Sequence, residues 1–132
     1  MLYKLTWNKE GTVAEFFGRI TLDTIMEVDQ KHYNDPRFDE ICYVLYDFTQ
    51  ADLSEVYLSD IQVPAAYDFG ASHINRKIKV AAVATDPHTI ELCKHYISVS
   101  KGISSSWSFD IFEDRASAFA WCTADLAGLS GS

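Results

Sequence analysis

Arg76-Lys77-Ile78-Lys79-Val80-Ala81-Ala82-Val83-Ala84-Thr85-Asp86-Pro87 is the stretch that decides the fold. Six apolar residues in near-continuous order are what a strand buried on both faces requires. The polar pair and proline that follow mark a helix start, because proline at the first helical position gives up an N–H that has no partner there. The stretch therefore reads as the central strand of an α/β sheet, with a helix leaving its carboxyl end.

Strands and helices alternate on either side. Loose alternation from Leu2 to Trp7 and again from Ala14 to Gly18, separated by Asn8, Lys9, Glu10 and Gly11, predicts a hairpin. Thr21 offers an N-cap to a helix with Leu22, Ile25, Met26 and Tyr33 on its apolar side, stopped by Asn34, Asp35 and Pro36. The run 41–48 is aromatic and β-branched, and predicts the next strand, closing in Asp47, Phe48 and Thr49. Ser59 with Gln62 forms a capping-box pattern for a second helix. Pro64 requires that helix either to kink or to begin its regular part near Val63, with Ile61, Ala65, Ala66 and Phe69 toward the core. Residues 87–100 predict a third helix, Trp107, Phe109 and Ile111 a last strand, and Glu113 and Asp114 the opening of a fourth helix.

The resulting order is β-β-α-β-α-β-α-β-α, an α/β five-stranded mixed, mostly parallel sheet with an N-terminal β-hairpin. Residues 1–127 read as one domain and 128–132 as a frayed tail. At 132 residues the chain can bury roughly two-thirds of its unfolded surface without metal or disulfide support. Hydrophobic residues at 48% and charged residues at 23% exclude general disorder. A net charge of −8 argues against nucleic acid, and Arg76, Lys77 and Lys79 read as solvated charges at a sheet edge. Cys42, Cys93 and Cys122 have neither disulfide nor zinc spacing and read as reduced, buried thiols of a cytoplasmic chain. The start of the chain is too short and polar for a signal peptide, and no window is long and apolar enough for a membrane span.

Several of these segments together resemble a known family. Residues 43–49, Leu58-Ser59-Asp60-Ile61, the strand and proline of 78–87, and 112–121 with Ala118 and Trp121 are similar to the STAS-like (SpoIIAA-like) bacterial proteins related to anti-sigma-factor antagonists. The resemblance implies a non-enzymatic regulatory or protein-interaction module working through the start of the second helix. In the antagonist branch that place carries Asp-Ser-Ser-Gly, whose first serine is phosphorylated by a partner kinase. Here Asp60 stands at the acceptor position, Ser59 is its neighbour, and neither the serine pair nor the glycine is present. The resemblance extends to relatives of Sec14-like type, which implies as an alternative a small apolar ligand or lipid in a cavity beside the sheet. The 14% aromatic content supplies a lining for such a cavity or simply an ordinary core.

Candidate chemistry is sparse. Asp47, Thr49, Asp86 and Asp114 fall at or after strand ends, where α/β sheets keep their ligand crevice. Their carboxylates suggest a divalent cation as a third reading, against simple caps and turns. His88, Glu91 and His95 share one helical stripe that reads as solvated surface, while His32 and His73 read as donors at helix ends. There is no glycine-rich phosphate loop and no nucleophile elbow. The expectation is therefore no cofactor and no catalytic residue, with a homodimer compatible with exposed aromatic surface.

Overall fold

The computed structural model describes residues 2–130, with side chains described through residue 126. Five strands lie in the order β1-β2-β3-β4-β5: β1 (Tyr3–Trp7), β2 (Gly11–Arg19), β3 (Tyr43–Asp52), β4 (Lys79–Val83) and β5 (Ser108–Phe112). β1 and β2 are antiparallel and every later pairing is parallel. The helices are α1 (Leu22–Tyr33), α2 (Gln62–Ala71), α3 (Pro87–Gly102) and α4 (Arg115–Ser130). Two short 3-10 turns, Pro36–Asp39 and Leu58–Asp60, precede β3 and α2. The tail expected over 128–132 falls at the edge of this range: α4 is helical through Ser130, and 131–132 lie outside the described residues.

Side chains alternate across the pleat and divide the core into two layers. Ala14 and Phe16 of β2 and Val44 and Val80 of β3 and β4 face α1, α2 and α3, which bury Val28, Ile61, Ala71 and Leu92 against that side. Tyr43, Leu45, Ala81 and Val83 face the other way, onto Ala118 and Cys122 of α4. β4 is thus buried on both faces, as its apolar run requires. It is the fourth strand rather than the central one; the middle position belongs to β3.

β3 is also longer than its apolar stretch. Past Phe48 it continues through Gln50, Ala51 and Asp52, which pair with Phe17, Gly18 and Arg19 beyond a register shift where β3 carries one residue more than β2. β4 ends at Val83, opposite Asp47, so Asp47 sits inside β3 rather than at its end. Asn8 closes the hairpin, its Oδ1 accepting from the N–H groups of Glu10 and Gly11 at 3.0 Å each. A Cβ at Gly11 would lie 2.6 Å from the Tyr43 ring, so only glycine lets that ring pack against β2.

The order never reverses, so the sheet lacks the topological switch point that opens a crevice at strand ends in doubly wound folds. The crevice that strand ends provide in those folds is therefore absent among the described residues.

Candidate functional site: a buried carboxyl pair beside an apolar cavity

α1 places Ile25, Val28, Asp29 and His32 at spacings of three and four on its inward side, and α2 does the same with Ile61, Pro64, Ala65 and Asp68. Two carboxyls are thereby carried into the core by otherwise apolar stripes. Asp29 is 1% and Asp68 4% exposed. The two are hydrogen-bonded to each other. Three phenols surround them: the Tyr46 hydroxyl of β3 donates to Asp29 Oδ1 at 2.8 Å, while the hydroxyls of Tyr33 (α1) and Tyr96 (α3) donate to the two oxygens of Asp68. Asp29 Oδ2 is buried and receives no hydrogen bond from an N–H or hydroxyl.

Burial, reinforced by the neighbouring Asp68, pushes the Asp29 carboxyl well above the usual carboxylate range, against the pull of the Tyr46 hydroxyl. Burial raises Asp68 as well, with Asp29, Tyr33 and Tyr96 drawing it back by hydrogen bonding. Both carboxyls are thus held above the ordinary range, Asp29 the more strongly, as happens when two neighbouring acids cannot both be charged at once. Tyr33, Tyr46 and Tyr96 are themselves held well above the ordinary phenol range by burial and the adjacent carboxyls, so they remain donors. Among the described residues, no Lys, Arg or His forms an ion pair with either carboxyl.

Beside the pair lies a cavity of about 80 Å³ between the sheet and α1 to α3. Its wall is almost entirely apolar, built from Tyr46 and Phe48 of β3, Ala82 of β4, Leu92 and Tyr96 of α3 and Phe109 of β5, with Asp29 and Asp68 as two of its polar members. Half-buried Ile25 and Ile97 and exposed Asp110 also border it.

Behind the pair, His32 is completely buried, and the sequence expectation of a helix-end donor is incomplete there. Its Nδ1 donates to the Val28 carbonyl at 3.1 Å, which leaves Nε2 to accept from the Thr12 hydroxyl at 2.7 Å. Burial lowers the imidazole to about 4. The unfolded chain takes up a proton near 6.5 and the folded one does not, so this group's contribution to stability is whole above pH 6.5. It is lost as pH falls through 6.5 toward 4. The difference in unfolding free energy between the wild type and His32→Asn is expected to shrink by about 3 kcal/mol from pH 7 to pH 4. An imidazole titrating near 6.5 by NMR would contradict this.

The residues singled out by sequence are dispersed. Ser59 does not cap α2: it is exposed within the Leu58–Asp60 turn and makes no hydrogen bond, while Asp60 accepts from the Tyr57 N–H at 2.9 Å. The regular helix starts at Gln62, which places Pro64 in the first turn, where its missing N–H costs nothing. Ala66 turns to solvent and Phe69 is half-buried, because the inward stripe runs through Asp68 instead. Asp47 accepts from Thr49 N and Oγ1 at 2.9 and 2.7 Å and pairs with Arg115 at 2.6 Å, and the same guanidinium reaches Glu15 at 2.9 Å. Asp86 accepts from Thr89 at the start of α3, and Asp114 from Ser117 at the start of α4. These carboxylates serve caps and an ion pair. Among the described residues no three His, Cys, Asp or Glu side chains gather as metal ligands.

His88 is not simply solvated: its Nε2 lies 3.1 and 2.9 Å from the carbonyls of Leu53 and Val56, tying α3 to the loop after β3. His73 does act at a helix end, against the Phe69 carbonyl. Cys93 and Cys122 are buried with thiols pushed up to about 12 by burial, whereas Cys42 is only half-buried. Lys79 reaches Trp121 O and Asp125 on α4 at 2.9 and 3.1 Å rather than lying free at an edge.

No protein-family model matches the chain, and no curated protein matches it. Among solved structures it is similar to an uncharacterized DUF3478-family protein with a SpoIIAA-like fold from Shewanella loihica PV-4. That similarity has 18% identity and a TM-score of 0.48, and it covers 91% of each chain. No helix among the described residues is long and apolar enough to cross a membrane.

Proposed function

We propose that the chain is a non-enzymatic binding module that takes a small, largely apolar molecule into the cavity between the sheet and α1 to α3. The observation that carries this reading is an apolar cavity bordered by a buried, incompletely hydrogen-bonded carboxyl pair. Small-ligand sites have this composition, an apolar wall with a few converging polar groups. A volume of about 80 Å³ holds roughly five water-sized groups, each needing at least ~10–15 Å³, and so suits a chain of a few carbons rather than a lipid tail. Saturation-transfer NMR with n-butanol is expected to show saturable contact with the wild type. Ala82→Leu, which fills the cavity from β4, is expected to lose it while keeping its unfolding temperature. No saturable contact with the wild type contradicts the proposal.

A second reading, a regulatory module of STAS-like type that docks through the start of α2, is favoured by a different observation. Tyr57, Leu58 and Val63 are 60%, 48% and 51% exposed around Ser59, an apolar patch at the approach to α2. On this reading the patch is covered by a second copy of the chain. Analytical ultracentrifugation is expected to show a concentration-dependent dimer that Leu58→Asp abolishes. A monomer in both proteins contradicts this reading.

A further inference from the structure

We infer that the polar end of the ligand is a small organic ammonium group, which seats on Asp29 and Asp68. This rests on the ligand-binding reading above and specifies its chemistry. The pair is a charge site without its counter-charge: two carboxyls nine-tenths or more buried, joined to each other, with no cationic side chain against them among the described residues. Asp29 borders the cavity, and its buried Oδ2 still lacks an N–H or hydroxyl donor. An ammonium supplies three N–H donors and one positive charge, which is what the pair lacks. The surroundings suit a cation in a second way. Tyr46, Phe48, Tyr96 and Phe109 present aromatic rings to the cavity, and ring faces attract ammonium groups in desolvated sites. The alkyl remainder then lies on Ala82 and Leu92.

The exchange balances in charge. The pair holding one proton has a net charge of −1; binding one ammonium and releasing that proton leaves two carboxylates and one cation, again −1. Affinity then rises with pH by up to tenfold per unit while the pair still holds its proton, and falls once the free amine loses its own near 10.4. The other titratable groups around the site do not supply the released proton at neutral pH. From α1, Tyr33 stays protonated and His32 neutral. From β3 and α3, Tyr46, Tyr96 and Cys93 stay protonated. Asp110 of β5 borders the cavity but is exposed.

The test compares n-butylammonium chloride with n-butanol by calorimetry at pH 6 and pH 8, in two buffers of different ionisation enthalpy so that released protons are counted. At pH 8 the ammonium is expected to bind at least tenfold more tightly than the alcohol and to release close to one proton. Its affinity is expected to be at least tenfold weaker at pH 6. In Asp29→Asn, with folding checked by its thermal transition, the ammonium is expected to bind without proton release and with an affinity that changes less than threefold between pH 6 and pH 8. Alcohol binding as tightly as the ammonium, or ammonium binding without proton release, overturns the inference and leaves the ligand reading standing. Binding of neither probe overturns both.

Discussion

Asp68→Ala is expected to destabilise the protein by about 3–5 kcal/mol at pH 7, measured by chemical denaturation. Asp68 accepts from the buried hydroxyls of Tyr33 and Tyr96 and from the carboxyl of Asp29, so truncation orphans three polar groups at once. Each buried donor left without an acceptor costs about 1–3 kcal/mol. Alanine also enlarges an existing cavity, which adds lost contacts to lost hydrogen bonds. Asp29→Asn is expected to cost far less, because burial already favours the uncharged acid there and an amide of the same shape supplies an N–H in its place. If Asp68→Ala costs under about 1 kcal/mol, the phenols have other acceptors and the pair is not a structural unit.

The second large effect lies on the same helix-covered face. Trp107→Ala is expected to cost about 3–5 kcal/mol, the range for losing a buried large aromatic side chain. The indole is buried against Phe38 and Tyr33, with ring centroids 6.2 and 6.5 Å away. Its Nε1–H donates to the Asn75 carbonyl at 2.6 Å, and the Asn75 side chain donates in turn to the carbonyls of Phe38 and Ile41 at 2.8 and 2.9 Å. One residue thus holds the end of α1, the turn before β3 and the approach to β4. Tyr33 also donates to Asp68, so Trp107→Ala and Tyr33→Phe are expected to be non-additive in a double-mutant cycle. Additive effects would show that the aromatic cluster and the carboxyl pair are independent.

The architecture was legible because it follows from patterns that tolerate little ambiguity. The apolar run at 78–84, the Asp86-Pro87 helix start and the alternation of 3.6- and 2-residue periods fix the order of elements, and the strands and helices fall where they indicate. What escaped were places where a polar residue does an apolar residue's job. The continuation of β3 through Thr49, Gln50 and Asp52 is polar because only β2 pairs with it there. The Ser59 and Gln62 spacing imitates a capping box, but the chain makes a 3-10 turn first, and Asp60 serves Tyr57 instead.

The carboxyl pair escaped for a related reason. An aspartate in a helix is ordinarily solvent-facing, so Ile61, Ala65, Ala66 and Phe69 read as the inward face of α2, of which Ile61 and Ala65 are buried. Yet the signal was present: Asp29 completes Ile25 and Val28, and Asp68 completes Ile61, Pro64 and Ala65, at the spacing of a core stripe. One such acid is a helix face read wrongly by a third of a turn. Two of them, on helices that pack on one sheet face beside buried tyrosines, make a site, and only the tertiary structure brings them together.

The most direct measurement is a carboxyl-carbon NMR titration of Asp29 and Asp68 in the ligand-free protein from pH 3 to pH 9. Both are expected to titrate above the ordinary carboxylate range, Asp29 the more strongly raised, in two steps that sense each other. Two carboxyls that both titrate near 4, as exposed aspartates do, would contradict the raised, coupled pair, and with it the site proposed for the ligand.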